Sequence, residues 1–315
     1  MRAARPNRHA AEWQVWAALG IVYVVWGSTY LAIRVMVRTM PPLLSGGTRH
    51  VIAGMVIFGL LLLWRGRGGF RLRRSELLGG GLVGLLLLLG GNGLVVLGER
   101  EVPSGLTALI VAVVPLCVVV LRRIFRERIA TGTIIGVGAG FAGVAILVVP
   151  ESASGRVELL SMLMIVGAAV SWSIGTYISK RVDMPHDPLA STGVQMLVGG
   201  LGLLAVGGLT GETVHPEQFS AESLLSLGYL IVFGSVLAYT AYTWALIHAS
   251  VSRVSTYAYV NPVVAVILGG LLLQETIDLT MLIGAAVIIA SVWLVIRTEA
   301  RAPSPAGAVP EAEPA

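Results

Sequence analysis

The sequence carries one pattern twice, and this repeat constrains the fold more than any other feature. Trp26-Gly27-Ser28-Thr29-Tyr30 in the first half corresponds to Trp172-Ser173-Ile174-Gly175-Thr176-Tyr177 in the second. The two tryptophans are separated by 146 positions (172 − 26 = 146). Further pairs at the same separation are Pro42 and Pro188, Gly54 and Gly200, and Glu76 and Glu222. In a membrane protein such a repeat is typical of secondary transporters, whose two halves move against each other around a shared site.

Apolar runs long enough to cross a bilayer recur along the chain. Hydrophobic residues make up 56% of the 315 residues, and charged residues make up 12%, about half of what a soluble domain carries. A spanning helix needs about 17–25 apolar residues. Ten such runs lie at 13–36, 43–64, 77–98, 103–121, 131–149, 159–180, 188–209, 223–247, 252–273 and 279–297. The chain is therefore predicted to be an all-α polytopic membrane protein with ten transmembrane helices.

Arginine is concentrated in alternate loops, which predicts how the chain is oriented. The second and fourth loops hold Arg65, Arg67, Arg71, Arg73, Arg74, Arg122, Arg123, Arg126 and Arg128. The chain ends add Arg2, Arg5, Arg8, Arg297 and Arg301, and the intervening loops hold Arg38, Arg100 and Arg156. Because positive residues stay on the cytoplasmic side, both termini are predicted to be cytoplasmic. The net charge of +5 is then a topology signal, and no nucleic-acid partner is expected.

Five helices in each half is an odd number, so the second half is predicted to enter the membrane inverted. The charges agree, since the arginine-rich second loop matches residues 210–222, which hold no Lys or Arg. The predicted organisation is a cytoplasmic tail at 1–12, repeats at 13–149 and 159–297, an external linker at 150–158 and a cytoplasmic tail at 298–315. The last segment is rich in Ala, Pro and Glu, and we expect it to be disordered.

Two prolines lie inside the fourth and ninth apolar runs. Pro115 and Pro262 are 147 positions apart (262 − 115 = 147), close to the repeat separation. Each removes a backbone donor and leaves the carbonyl four residues earlier without its helical partner. Their symmetric placement favours a hinge or a cavity wall, and a kink without a functional role is the alternative.

Three charged residues, Arg34, Arg49 and Glu99, are predicted near the outer ends of the first three helices. Charges at such depth are costly and usually face a partner or a water-filled cavity. An Arg49–Glu99 pair that fixes helix packing is one interpretation, and a gate or substrate contact is another. Arg34 could also extend to the outer surface. Glu99 is the candidate for proton coupling, with facilitated flux down the substrate gradient as the alternative.

Aromatic and amide side chains occur deep inside several runs, where lipid offers them no polar partner. The candidates for a substrate cavity are Trp26, Tyr30, Asn92, Trp172, Tyr177, Tyr239, Tyr257 and Asn261. An uncharged aromatic cavity suits a small amphipathic or aromatic solute, and cation–π contact is open to an amine. Six of them, without Tyr30 and Tyr177, are predicted to line one central space drawn from both halves.

Catalytic and metal-binding motifs are absent from the sequence. It contains no H-E-x-x-H, no G-x-S-x-G, no Walker loop and no Cys/His pattern with metal-ligand spacing. No enzymatic activity, cofactor or metal is therefore expected. A polytopic membrane enzyme would need a carboxylate or histidine cluster at the membrane surface. Inverted halves fit a transporter that works by alternating access better than they fit a channel or sensor.

Several strings resemble the drug/metabolite transporter superfamily, specifically EamA-type permeases of the YedA-like subgroup. They are Trp26 to Tyr30, Pro41-Pro42-Leu43, Gly91-Asn92-Gly93, Val102-Pro103-Ser104-Gly105 and Thr256-Tyr257-Ala258-Tyr259-Val260-Asn261-Pro262 with the residues up to Val266. The resemblance spans about 13–297. Family repeats often end the fourth and ninth helices with Gly-Glu. Arg126-Glu127 and Gln274-Glu275 replace that here, and their distances from the prolines differ by one residue.

The resemblance implies two inverted five-helix repeats around a cavity made mainly by the first, third, fourth, sixth, eighth and ninth helices. It implies export of small metabolites, amino acids or toxic compounds across the bacterial inner membrane, with import as the alternative. Membrane lipid and a small-molecule substrate are the expected partners. Gly136 and Gly140 allow close helix contact, and we expect packing within the chain, with a homodimer interface as the alternative.

Overall fold

The computed structural model describes residues 12–65, 72–127, 129–153, 157–249, 251–254 and 256–301, and every regular element among them is helical. The membrane helices are α1 (Glu12–Met36), α2 (Pro42–Arg65), α3 (Arg74–Gly98), α4 (Ser104–Ile124), α5 (Thr131–Ala153), α6 (Leu159–Ile178), α7 (Pro188–Leu209), α8 (Ala221–Ala245), α9 (Tyr257–Leu273) and α10 (Leu279–Arg301). All but α9 are long and apolar enough to span a bilayer, and α9, with 17 residues, is near the lower limit. The predicted ten-helix fold is confirmed.

Several predicted boundaries are wrong by a few residues. Helices α5 and α10 continue to Ala153 and Arg301, past the predicted ends at 149 and 297, because backbone hydrogen bonding does not require apolar side chains. The predicted linker at 150–158 and tail at 298–315 therefore begin inside helices. Helix α9 begins at Tyr257 rather than at 252, after a short helix Val251–Val254. Residues 1–11, 66–71, 128, 154–156 and 302–315 of the predicted tails and loops lie outside the described residues.

Thr256, directly before α9, makes two side-chain hydrogen bonds. The Thr256 hydroxyl donates to the backbone carbonyl of Arg253 at 2.6 Å, and it also bonds to the Tyr23 hydroxyl of α1. Such side-chain bonds to nearby backbone offer an alternative to the helical ladder.

Contacts between loops assign each loop to one of two ends of the bundle. The acidic end comprises the described parts of the α1–α2, α3–α4, α5–α6, α7–α8 and α9–α10 loops, and the basic end comprises those of the other four loops, with the start of α1 and the end of α10. At the acidic end, Glu212 accepts hydrogen bonds from the backbone N–H groups of Leu43 (3.0 Å) and Leu44 (2.8 Å). At the basic end, Arg181 bonds to Glu127 at 2.7 Å. Each repeat crosses the bundle five times, so the two repeats run in opposite directions.

Two helix pairs flank the centre, and each joins equivalent helices of the two repeats. Helix α2 packs on α7, where Gly47 and Gly200 let the backbones meet, since a Cβ at either would lie within 3.0 Å of the other's carbonyl oxygen. Helix α5 packs on α10, where Gly136 faces Val295 and Gly140 faces Ser291. The expectation that this glycine pair packs within the chain is confirmed.

Helices α3 and α8 each contain a π-helical segment at the corresponding place, which the sequence did not predict. The segments are Leu85–Asn92 and Leu230–Leu237, eight residues each. They end where Gly93 N–H donates to the carbonyl of Leu88 and Ala238 N–H donates to that of Phe233. A π-turn widens the helix and re-aims its side chains, and such segments recur at functional sites.

The two prolines do not act alike. Helix α4 is interrupted at 112–113, between segments Ser104–Val111 and Val114–Ile124, and Pro115 lies in the first turn of the second segment. Proline suits that position because its missing N–H would be unpaired there. Pro262 instead lies inside the continuous helix α9. The helix is thus interrupted beside Pro115 and continuous at Pro262, and a hinge in both halves stays a prediction.

Candidate functional site

Aromatic rings from both repeats meet at the centre of the bundle, around Trp26 of α1. The ring centroid of Trp26 lies 6.1 Å from that of Trp172 in α6, and the two planes are at 89°. Its distance is 5.5 Å to Tyr257 of α9 and 4.9 and 6.0 Å to Tyr242 and Tyr239 of α8. Edge-to-face pairs at such distances are favourable beyond their buried area. The cluster is therefore a wall of packed rings drawn from both halves.

The position of Trp26 is fixed by a hydrogen bond and by a close helix crossing. Its indole N–H donates to the carbonyl of Gly234 at 3.1 Å, inside the π-helical segment of α8. The next residue, Gly27, lies against α9, where a Cβ would come within 2.6 Å of the Val264 Cβ. The absence of a side chain at this glycine thus permits the approach that brings Trp26 and Tyr257 together.

A cavity of about 80 Å³ lies beside this cluster. Of the predicted cavity residues, Trp26, Tyr30, Asn92, Trp172, Tyr239, Tyr257 and Asn261 lie on its wall. The predicted six helices all contribute, and α2 adds Arg49 and His50. The sequence missed His50, Thr29, Gly234 and Ser235, and the last two come from the unpredicted π-helical segment of α8.

Tyr177 is the predicted cavity residue that lies elsewhere. It is near the basic end of α6, where its ring stacks on Phe125 with centroids 5.1 Å apart. It lies one and a half turns beyond Trp172 on the helix, so it cannot reach the same depth. Tyr177 lines the larger vestibule described below instead.

Two buried polar atoms on the cavity wall have no partner. The Arg49 side chain donates from Nε to the Ser235 hydroxyl at 2.8 Å, but its Nη1 has no hydrogen-bond partner. The Asn261 Oδ1 likewise accepts no hydrogen bond. The two residues are 5% and 4% exposed. His50 is satisfied, since its Nδ1 donates to the Gly46 carbonyl at 2.7 Å.

The predicted Arg49–Glu99 pair is not formed. Arg49 turns toward α8 and Ser235 instead, and both carboxylate oxygens of Glu99 are buried without a hydrogen-bond partner. Arg34 approaches Glu99 but donates to its backbone carbonyl rather than its carboxylate. Glu99 follows the last residue of α3 and is completely buried. The three charges thus lie close together without a side-chain ion pair between them.

At the acidic end, one carboxylate connects the two repeats. Glu275, just after α9, accepts hydrogen bonds from the backbone N–H groups of Ser104 (2.8 Å) and Gly105 (3.1 Å), at the start of α4. A carboxylate is favourable there because the first N–H groups of a helix lack helical partners. Gly269 leaves room for it, since a Cβ there would meet the carboxylate at 2.5 Å. The second repeat is in this way joined to the first.

A larger vestibule, of about 700 Å³, lies on the basic side of the aromatic cluster. Tyr239 and Tyr257 belong to the walls of both spaces, so these rings separate the cavity from the vestibule. Near its mouth, Glu127 bonds to Arg122 and Arg181, each at 2.7 Å. The hydrogen bond from Arg122, reinforced by both positive charges, lowers the pKa of Glu127.

The vestibule wall also carries several positively charged side chains. Lys180 lies beside Arg122 and Arg181, and burial together with these two charges lowers its pKa. The Arg181 guanidinium lies 3.5 Å above the centre of the Tyr177 ring. The charged residues on this wall are Arg122, Glu127, Lys180, Arg181 and His186. Among these described residues of the vestibule wall, positively charged side chains outnumber the one carboxylate.

Among the described residues, ten membrane helices form two opposed repeats with a polar and aromatic cavity between them, an arrangement typical of secondary transporters. The family model described as "EamA-like transporter family" matches residues 13–149 and again residues 159–297. The chain belongs to the EamA-like transporter family.

Relatives agree with this assignment. The chain is 36% identical over 282 residues to "Uncharacterized inner membrane transporter YedA" of Escherichia coli (strain K12), covering 89% of this chain and 90% of that one. It is 27% identical to "Uncharacterized transporter YvbV" of Bacillus subtilis (strain 168), covering 88% and 90% of the two chains. One crystal structure shares the fold, with a TM-score of 0.65, 18% identity and coverage of 90% of this chain and 98% of that one.

Proposed function

We propose that this protein is a secondary transporter that exports a small amphipathic solute across the bacterial inner membrane by alternating access. The observation that carries the proposal is the cavity wall, to which Trp26 and Asn92 come from the first repeat and Trp172, Tyr239 and Asn261 from the second. Inverted repeats bind their substrate at such an interface, near the bilayer midplane. The polar groups orient the solute, and the rings cover its apolar part.

The two ends of the bundle are asymmetric, and the proposed export cycle starts from this arrangement. The vestibule lies at the basic end, which the arginine distribution places in the cytoplasm. The acidic end is closed by the Glu275 carboxylate on the first N–H groups of α4. In this state a solute enters from the cytoplasm, and release outside requires that the contact between Glu275 and Ser104 breaks.

Proton coupling is the finer part of the proposal, and it concerns Glu99. The buried acidic side chains among the described residues are Glu76 and Glu99, at 5% and 0% exposure. Glu76 accepts a hydrogen bond from the Arg73 backbone N–H at 2.8 Å, whereas both oxygens of Glu99 lack a partner. A carboxyl group with no partner, next to Arg34 and Arg49, suits uptake and release of a proton during the cycle.

Flux of labelled solutes through purified protein in liposomes tests the proposal. The panel should cover small aromatic and aliphatic acids, amines and zwitterions, with inside-to-outside and outside-to-inside arms. We expect saturable flux of at least one class, reduced by Trp26→Phe and unaffected by Trp13→Phe, whose side chain is 70% exposed outside the cavity. No protein-dependent flux of any class, or equal loss in both variants, would contradict the proposal.

A further inference from the structure

The strongest unexplained feature of the cavity is the guanidinium of Arg49. It is 5% exposed, and it uses Nε on Ser235 while Nη1 has no hydrogen-bond partner. A buried charge that lacks a partner is strongly destabilising, and an unmatched donor adds the cost of its lost hydration. Such a group on a cavity wall is explained when a ligand supplies the missing acceptor.

Among the described residues of the cavity wall, none supplies a negative charge to Arg49. The described residues on this wall include no Asp or Glu. Glu99 interacts with Arg49 at longer range, but it does not line the cavity and its oxygens do not bond to the guanidinium. Glu275 is engaged by the N–H groups of α4. The cavity itself therefore carries the positive charge of Arg49, and it favours an anion.

We propose that the transported solute carries a carboxylate and that Arg49 is the residue that binds it; this inference rests on the proposed transport function. The planar guanidinium matches the two oxygens of a carboxylate, and charge-assisted bonds of this kind are about twice as strong as neutral ones. The unpaired Oδ1 of Asn261 accepts an N–H or O–H group of the same solute. The rings of Trp26 and Trp172 then cover its apolar part.

The vestibule gives independent support. Among the described residues of its wall, the positively charged ones include Arg122, Lys180 and Arg181, and the carboxylate is that of Glu127. A cleft lined by one sign of charge between low-dielectric walls raises the local concentration of solutes of the opposite sign. An anionic solute is therefore attracted to the entrance and held at the Arg49 guanidinium, whereas a cationic solute is disfavoured at both places.

Binding to the purified full-length protein tests the assignment without any need for transport. The probes are matched pairs that differ only in charge, benzoate with benzamide and 3-phenylpropionate with 3-phenylpropionamide, and the readouts are tryptophan fluorescence and thermal stabilisation. We expect each acid to bind at least about tenfold more tightly than its amide. Phenyl phosphate serves as a second anion, and tighter binding of phenyl phosphate than of benzoate would overturn the carboxylate assignment.

Variants of Arg49 test whether this residue causes the preference for the acid over the amide. Arg49→Gln should abolish the difference between acid and amide, and Arg49→Lys should weaken acid binding by about tenfold while leaving amide binding unchanged, because lysine lacks the planar fork. Arg38→Gln removes an exposed positive charge at the acidic end and should keep the wild-type preference. If Arg49→Gln does not fold, Arg49→Lys decides: unchanged acid affinity contradicts the inference.

The outcome is separable from that of the proposed function. Saturable flux of neutral or cationic solutes together with equal binding of acid and amide would overturn the role of Arg49 and leave the transporter intact. Acid binding that depends on Arg49, with no flux of any solute in liposomes, would overturn the transport function and with it this inference about a transported carboxylate.

Discussion

Trp26 and Trp172 occupy equivalent positions in the two repeats, and their rings meet edge to face with centroids 6.1 Å apart. In an inverted repeat, equivalent residues that touch must lie close to the pseudo-two-fold axis, where the two halves meet. The same pair lies on the wall of the central cavity. The contact between Trp26 and Trp172 therefore lies where the two repeats meet, on the wall of the cavity in which we propose that the solute binds.

The first prediction concerns Trp26 itself. Replacement by Phe keeps a ring against Trp172 but removes the indole N–H that donates to Gly234 at 3.1 Å. We expect flux to fall by about tenfold and stability to fall by about 1 kcal/mol, the usual value of one hydrogen bond. Trp26→Ala should cost about 3–5 kcal/mol, because it also leaves a cavity among four packed rings. Flux and thermal unfolding of both variants check this, and a Phe variant with wild-type flux would contradict it.

The sequence predicted the centre of the molecule well because membrane burial gives a clear signal. A tryptophan or asparagine in the middle of an apolar run has no polar partner in lipid, so it faces protein or a cavity. The repeat then pairs positions such as Trp26 and Trp172 without further information. Asn92 and Asn261 were placed on the same wall by this argument, and the structure brings them together there.

What the sequence could not predict depends on side-chain direction and local helix geometry. Arg49 and Glu99 lie at similar depth, but Arg49 is turned toward Ser235, whose position follows from the π-helical segment of α8. Residue spacing assumes 3.6 residues per turn, so a π segment displaces every later side chain around the helix. The same limit applies to Pro262, since the residue type alone does not decide between a kink and a break.

The second prediction concerns the ends of α4 and α9. Among the described residues, Arg126 (φ 62°) and Gln274 (φ 55°) are the non-glycine residues with positive φ, and each directly precedes a glutamate. Glycine adopts this left-handed conformation without the cost of about 1–2 kcal/mol that other residues bear. This shared conformation supports the equivalence of Glu127 and Glu275 that their unequal spacing had left open.

Gln274→Gly should therefore stabilise the protein by about 1 kcal/mol. The Gln274 side chain is exposed, so little packing is lost. Gln274→Ala is the matched control and should bring no gain, because alanine keeps the Cβ that causes the strain. Thermal unfolding of the purified variants measures both, and equal stability of the Gly and Ala variants would argue against strain at this position.

The third prediction concerns Glu127 and pH. Its pKa is lowered chiefly by the hydrogen bond from Arg122, so its contribution to stability is present above the usual glutamate pKa of about 4.3 and is lost as pH falls through the lowered value. Because the carboxylate is 34% exposed, the contribution should stay below about 1 kcal/mol. Glu127→Gln should thus lower the unfolding midpoint by no more than about 2 °C at pH 6–8. The difference should shrink below about pH 4. A difference that grows between pH 8 and pH 6 would rule out this assignment.

The fourth prediction concerns orientation. Gln218 lies exposed in the loop between α7 and α8 at the acidic end, and Ala130 lies exposed between α4 and α5 at the basic end. Cys117, the one cysteine of the sequence, is first replaced by alanine so that each new cysteine is the only one present. In this background, Gln218→Cys should react with a membrane-impermeant maleimide in intact cells. Ala130→Cys should react only after the membrane is permeabilised, because arginine-rich loops stay in the cytoplasm. The reverse pattern would place the vestibule outside and contradict the predicted orientation.

The last prediction concerns the buried carboxyl group at the end of α3. Glu99 is completely buried, and its two carboxylate oxygens have no hydrogen-bond partner. The charged residues that act on it are Arg34, Arg49 and Glu275. If a proton moves through Glu99 in each cycle, an imposed pH gradient should drive solute uphill in liposomes. Glu99→Gln keeps the shape of the side chain but cannot exchange a proton, so it should retain flux down the solute gradient and lose the response to pH. Glu101→Gln, two residues further on and exposed, should respond as the wild type does. If accumulation driven by the pH gradient survives in Glu99→Gln, Glu99 has no part in coupling. If flux through the wild-type protein does not respond to the pH gradient, facilitated transport is the mechanism.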